Sequence, residues 1–165
     1  MLKKIYEEIL KYDTIVIARH IGVDPDALGS QFALKTAINI NFPLKKVFVV
    51  GSKSSRYNYF PKLDKYEEIN NSEVLLIVCD TPDKKRVDIS NFDTFPNICK
   101  IDHHPLIDKF SDYEYIDTSA SSASELVLTL LIVMSFSTKN FKTNSDALDD
   151  KVSIYSNSLN LSIKG

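Results

Sequence analysis

Apolar positions along this chain change their period several times, and those changes mark out its elements. Leu2, Ile5, Ile9 and Leu10 recur at helical spacing, which predicts a helix over residues 2–11. Thr14–Ala18 is a short β-branched run and reads as a buried strand. Residues 19–26 then form a loop, and residues 27–41 a helix with Pro43 just beyond its end. Residues 47–50 read as a second strand, stopped by Gly51, and residues 61–69 as a short helix. Val74–Cys79 is apolar without a break, as expected of a strand covered on both faces in a parallel sheet. Residues 98–101 and Tyr113–Ile116 are two further short strands. Ser122-Ala123-Ser124-Glu125 fits a capping box and opens a helix running to about Met134.

Strands alternating with helices predict an α/β fold with a mainly parallel sheet, in which sites gather at the carboxyl ends of the strands. From about Ser135 the chain is rich in Ser, Asn, Lys and Thr, and only residues 152–155 could form a strand. The expected organisation is therefore one domain over residues 1–134 and a divergent, weakly structured tail over residues 135–165.

Composition narrows the function classes. A net charge of −2 supplies no global basic field, so duplex DNA binding is not expected. Lys53, Arg56, Lys62 and Lys65 do cluster around Tyr57, Tyr59 and Phe60, which reads either as a solvated loop or as a local basic patch. Cys79 and Cys99 lie in or beside apolar runs and lack CxxC spacing, so they read as buried thiols of a reducing compartment rather than zinc ligands. The N-terminus has no signal-peptide core, and residues 126–134 fall far short of the roughly 20 apolar residues that span a bilayer. A cytoplasmic protein with no membrane contact is the expectation.

The candidate chemistry is concentrated. All 3 histidines lie in two short acidic motifs. The first runs His20-Ile21-Gly22-Val23-Asp24-Pro25-Asp26-Ala27-Leu28-Gly29-Ser30, the second Ile101-Asp102-His103-His104-Pro105, and between them the strand at Val74–Cys79 ends on Asp80-Thr81. A loop after a strand can bring His20, Asp24 and Asp26 onto one ion, and Pro25 stiffens the turn between the carboxylates. The alternative is a solvated turn with Asp26 as helix cap. Gly29 and Ser30 are expected in the first turn of the next helix, whose N–H groups suit a phosphate. Carboxylates and imidazoles without thiolates favour a hard or borderline ion such as Mn²⁺ or Mg²⁺. Asp80 could bridge two ions. Neighbouring His103 and His104 on extended chain point in different directions, so one could ligate while the other acts as an acid, with Asp102 fixing a tautomer. Thr118, Ser119, Ser121, Ser122 and Ser124 read as helix capping, with phosphate contact as a secondary role. Arg19 reads equally as an anion-facing or a plain surface arginine.

Taken together these residues resemble the DHH phosphoesterase family, over about residues 1–131. The pattern His-x-x-x-Asp-x-Asp-Ala-x-Gly-Ser is matched by His20, Asp24, Asp26, Ala27, Gly29 and Ser30, the second motif by Val78-Cys79-Asp80-Thr81, and the name motif by Asp102-His103-His104. Ser121-Ser122-Ala123-Ser124-Glu125 is similar to the family's Ser-rich helix start, and Asp24 to Gln31 looks most like the small bacterial oligoribonuclease/pAp phosphatases. The resemblance implies a Rossmann-like N-terminal domain and a phosphoesterase that uses two divalent ions, Mn²⁺ first, with Mg²⁺ or Co²⁺ as substitutes. Its substrates would be short oligoribonucleotides, pAp or linear dinucleotides. By carry-over His20 and Asp24 hold one metal, Asp26 and His103 the other, and Asp80 bridges them. His104 is the acid, Asp102 its orienter, and Ser30, Ser121 and Ser122 contact substrate.

The chain departs from the family pattern in three ways. Val23 stands where the family has Pro. A further Asp after a Gly-Ile-type strand has no counterpart, because Asp146, Asp149 and Asp150 follow no apolar strand and residues 152–155 end in Ser156-Asn157. The glycine-rich second domain is not seen in a chain with 4 glycines. These departures lead to the expectation of a shortened, impaired enzyme. An apolar face left unfinished would then drive association of chains. Two alternatives stand beside that reading. One is a non-catalytic metal- or nucleotide-binding fragment or partner subunit. The other is a pyrophosphatase or polyphosphatase relative, which would need a basic cradle that the sequence does not show.

Overall fold

The computed structural model describes residues 1–67 and 71–139, with side chains of the last helix through Met134. The order of its main elements is α1 (Leu2–Lys11), β1 (Thr14–Ala18), α2 (Pro25–Asn41), β2 (Lys46–Val49), β3 (Val74–Cys79), β4 (Asn97–Asp102), β5 (Tyr113–Ile116) and α3 (Ala123–Lys139). The strands form one five-stranded sheet in the order β2-β1-β3-β4-β5. Every pairing is parallel. The order of the strands reverses between β1 and β3, which is where ligands bind in open sheets of this kind.

The pleat sorts the apolar side chains onto two faces. Ile15, Ile17, Leu75, Ile77, Cys99 and Ile101 pack against Ile5, Ile9, Leu34, Ile38, Val127 and Leu130 of the three helices. Val16, Ala18, Leu76, Val78 and Ile98 face the other way, under Val87, Phe95 and the rings of Tyr66, Phe92 and Phe110. Burial on both faces is the physical reason for the unbroken apolar run of β3, all six residues of which are buried. Cys79 and Cys99 are free and buried. Burial pushes the Cys99 thiol up to about 12 and raises that of Cys79 as well, so both are inert as thiolates.

Some boundaries differ from the sequence reading. Residues 61–67 form no helix. That segment runs as irregular chain beside the end of β2, because Asp64 N–H donates to the Val49 carbonyl at 2.9 Å and Val49 N–H to Asp64 Oδ2 at 2.6 Å. Lys35 closes the arrangement with bonds of 2.8 and 2.7 Å to the same carboxylate. The α2 helix begins at Pro25 rather than residue 27, with Asp24 and not Asp26 as its N-cap. Proline suits the first helical position, where its missing N–H would have no intrahelical partner. Gly29 and Ser30 consequently lie in the second turn. The α3 helix continues to Lys139, five residues into the expected tail, since each added residue of a formed helix gains a hydrogen bond. The expected strand at 152–155, Asp146, Asp149, Asp150 and the rest of the tail lie outside the described residues. Among the described residues no helix is long and apolar enough to cross a membrane.

Candidate metal centre

Three strand ends supply the polar cluster. His20 follows β1, Asp80 follows β3, and Asp102, His103 and His104 end or follow β4. His20 is pinned by a short antiparallel bridge to Val87. Ile21 N–H donates to the Arg86 carbonyl at 2.7 Å and Asp88 N–H to the Arg19 carbonyl at 2.7 Å. Asp80 sits at φ 54°, in the left-handed region, where a short polar side chain is tolerated better than most. That conformation aims its carboxylate between the histidines.

Each imidazole is oriented by its second nitrogen. His20 Nδ1 lies 2.8 Å from the Ile21 carbonyl. A carbonyl only accepts, so Nδ1 carries the proton and Nε2 presents its lone pair to Asp24 Oδ2 at 3.6 Å and Asp80 Oδ2 at 3.4 Å. His103 repeats the device: Nδ1 donates to the Ala120 carbonyl at 3.4 Å. Its Nε2 faces Asp80 Oδ1 at 3.5 Å and Asp26 Oδ2 at 3.8 Å. His104 is different, because its Nδ1 donates to Asp102 Oδ1 at 2.8 Å, which leaves Nε2 as its free nitrogen. The rings of His103 and His104 lie 4.5 Å apart, so the two histidines share one site rather than diverging.

The donor set fits metal ions. Separations of 3.4–3.8 Å between imidazole nitrogen and carboxylate oxygen exceed the roughly 2.7–3.2 Å usual for such hydrogen bonds and suit two ligands of one ion. Asp80 Oδ1 is buried without a hydrogen-bond partner, a costly state for a carboxylate unless a cation meets it. Among the described residues, two groups have ligand atoms within 4.8 Å of one another, namely His20, Asp24 and Asp80, and Asp80, His103 and His104. Asp80 belongs to both, one oxygen toward each side. The His20 pKa is raised, first by the Asp80 carboxylate and against the opposing effect of burial.

The carboxylates also build the fold that holds them. Asp24 Oδ1 caps α2 by accepting Ala27 N–H at 3.0 Å. Asp26 reaches across to α3, accepting Ala123 N–H at 2.8 Å and Ser124 N–H at 2.9 Å. Such a clamp satisfies orphan donors of a helix N-terminus and places negative charge at its positive end. Ser30 is fully buried and pairs with Ser124 Oγ at 3.2 Å. Ser122 caps α3 through Glu125 N–H at 3.1 Å, while Ser121 N–H and Oγ donate to the Glu125 carboxylate at 2.8 and 2.9 Å. The structure thus joins Ser30, Ser121 and Ser122 to the helix seam, whereas the histidines and the four aspartates converge.

Two cations beside the cluster are placed differently from expectation or escape it. Arg19 is not a surface arginine: it is fully buried and faces an anion of the protein itself, bonding Asp88 at 2.6 Å, the Ser52 carbonyl at 2.6 Å and the His20 carbonyl at 2.9 Å. Lys100 is also fully buried, 3.4 Å from Asp102 Oδ2 and 3.2 Å from the Pro82 carbonyl. The alternation of β4 could have revealed it, since residues 98, 100 and 102 share one face of the sheet.

The sequence pattern of the DHH family, N-terminal domain, matches residues 14–153. The chain belongs to the DHH family. Among curated relatives, this DHH chain is 42% identical over 125 residues to a probable bifunctional oligoribonuclease and PAP phosphatase NrnA of Streptococcus mutans, covering 76% of this chain and 40% of the relative. It is 36% identical over 132 residues to the bifunctional oligoribonuclease and PAP phosphatase NrnA of Bacillus subtilis, covering 80% and 42%. The chain therefore spans about two fifths of the length of these relatives. The fold is also that of an exopolyphosphatase-related protein from Bacteroides fragilis, with a TM-score of 0.63 at 23% identity over 81% of this DHH chain and 43% of that one.

Proposed function

We propose that this DHH domain is a metal-dependent phosphoesterase module that hydrolyses a phosphoester of a short oligoribonucleotide or of pAp. The observation that carries the reading is the position of Asp80. Its two oxygens face two different imidazole Nε2 atoms, 3.4 and 3.5 Å away. Each imidazole is anchored through Nδ1 on a backbone carbonyl. Anchoring of this kind fixes tautomer and ring orientation in metal sites. The relatives' names, which cite oligoribonuclease and PAP phosphatase activity, support the substrate class.

In this reading His20 and Asp24 hold one divalent ion, Asp26 and His103 the other, and Asp80 serves both. The donor set of imidazole nitrogen and carboxylate oxygen suits Mn²⁺. When bound, such a pair supplies acidification of a water and neutralisation of charge on the phosphoryl oxygens. The chain's own residues do the rest. Asp102 keeps the His104 ring oriented through its bond to Nδ1. His104 Nε2 delivers a proton to the departing oxygen as the P–O bond breaks and the oxygen of water bonds to phosphorus. The burial of Asp80 and Asp102 strengthens these charge interactions relative to water.

The test is hydrolysis of pAp and of a short oligoribonucleotide by the purified chain with and without Mn²⁺, beside His104→Ala. The expected result is Mn²⁺-dependent turnover that falls by about 10²–10⁴-fold in the variant. Folded protein without turnover, or turnover unaffected by His104→Ala, would overturn the reading.

A further inference from the structure

The basic, aromatic stretch after Gly51 takes no part in the metal cluster, yet it lines a cavity that borders the loop of the first motif. The cavity measures about 260 Å³ and is walled by Leu28, Tyr57, Phe60 and Leu63, with Asn58 and Ser54 as polar lining. Arg19 and Val23 close it on the side of the first motif. These two residues flank His20 and Asp24 in sequence, and Leu28 lies one helical turn beyond Asp24. Cavity and cluster therefore share one loop.

The lining is built for a flat ring. Phe60 is stacked on Phe32 of α2 with centroids 6.1 Å apart. Tyr59 packs against Phe60 at 5.1 Å and edge-on to Tyr57 at 6.1 Å, and the Arg56 guanidinium covers Tyr57 at 5.6 Å. Lys53 and Lys62 at the lining supply positive charge. Arg19 is a wall rather than a phosphate ligand, because its charge is already met by Asp88 at 2.6 Å. At about 260 Å³ the space falls just below the roughly 300 Å³ at which pockets for drug-sized ligands begin, so it suits one ring system and not a run of nucleotides.

We propose that this cavity is a nucleobase subsite, which receives the base of a nucleotide whose scissile phosphate lies at His20, Asp24 and Asp80. The placement of the phosphate rests on the phosphoesterase reading; recognition of the base by Tyr57 and Phe60 does not. Stacking is sequence-tolerant because every base has a π-face, so the subsite grips purines and pyrimidines alike. The lysines favour an anionic ligand over a neutral aromatic one.

The experiment has two arms. In the first, binding of adenosine and of ribose to the full chain in the presence of a chelator is followed by saturation-transfer NMR. Adenosine is expected to bind and ribose not; Tyr57→Phe keeps the binding, and Tyr57→Ala weakens it by about tenfold or more. In the second, Tyr57→Ala raises KM for pAp by a similar factor in Mn²⁺ and leaves kcat within about twofold. Adenosine binding that depends on Tyr57 in a chain without turnover would sink the phosphoesterase reading and leave the subsite standing. Turnover in a chain that does not bind adenosine, or that binds it equally well as Tyr57→Ala, would overturn the subsite alone.

Discussion

Oδ1 of Asp102 accepts a 2.8 Å hydrogen bond from Nδ1 of His104, and Asp102 has no solvent exposure. A buried carboxylate on one ring nitrogen fixes which nitrogen is free and how the ring is turned. Asp102→Asn keeps the shape and removes the charge. The expected outcome is a fall in kcat for pAp of about 10–100-fold, with KM nearly unchanged. Steady-state kinetics in Mn²⁺ decide it, and an effect on KM alone would mean that Asp102 does not act through His104.

Asp102 also faces the other way, toward Lys100. The ammonium lies in a fully buried place between Asp102 Oδ2 at 3.4 Å, the Pro82 carbonyl at 3.2 Å and the Phe110 ring at 4.8 Å. Removing one partner of a buried pair leaves an uncompensated charge, at a cost of about 3–5 kcal/mol. Asp102→Ala should lose stability on that scale in urea unfolding without metal. Lys100→Met combined with Asp102→Leu should lose far less, because no charge is stranded. Equal losses in the two proteins would argue against a charged Lys100.

The raised pKa of His20 gives metal-free stability a definite pH dependence. A group that binds its proton more tightly when folded stabilises the fold fully below its unfolded pKa, about 6.5 for histidine, and loses that contribution as pH rises through the folded value. The His20 contribution to the Tm of the chelator-treated chain should therefore decline above about pH 6.5. Mn²⁺ competes for the same nitrogen, so its affinity should rise with pH over that interval. Comparison with His20→Gln isolates the effect: the variant should lack this component of the Tm slope, and an unchanged slope would assign it elsewhere.

Gly51 is needed for two reasons that act together. Its φ is 136°, which other residues rarely adopt, and a Cβ there would lie 2.9 Å from Arg19 Nη2. The guanidinium cannot retreat without breaking its bonds to Asp88 and to the Ser52 carbonyl. Gly51→Ala should destabilise the chain by about 2–4 kcal/mol. Gly22 also has positive φ, 71°, but a Cβ there meets nothing, so Gly22→Asn should cost about 1 kcal/mol or less. Thermal unfolding of the two variants checks the contrast.

The sheet was legible because its period was clean. Ile15, Ile17, Leu75 and Ile77 alternate with Val16, Leu76 and Val78, and the continuity of β3 pointed to burial on both faces. The cluster was legible because histidines and aspartates were gathered at predicted strand ends. The irregular course of residues 61–67 was not, because it depends on Asp64 meeting Val49 and Lys35 across the fold. Arg19 and Lys100 were hidden for a similar reason. Only a distant carboxylate makes the burial of a charged side chain tolerable, and Asp88 lies 69 residues from Arg19 in the chain.

By itself the sequence determined the five strands, the three main helices to within a few residues, the α/β class and the family, since apolar period and motif spacing are local properties written along the chain. Tertiary structure decided which nitrogen of each histidine is free, because a backbone carbonyl or Asp102 occupies the other. It also decided that Asp26 clamps α3 while facing His103. Finally, it placed an aromatic loop against α2 through contacts between Phe60 and Phe32, separated by 28 residues, that no local pattern records.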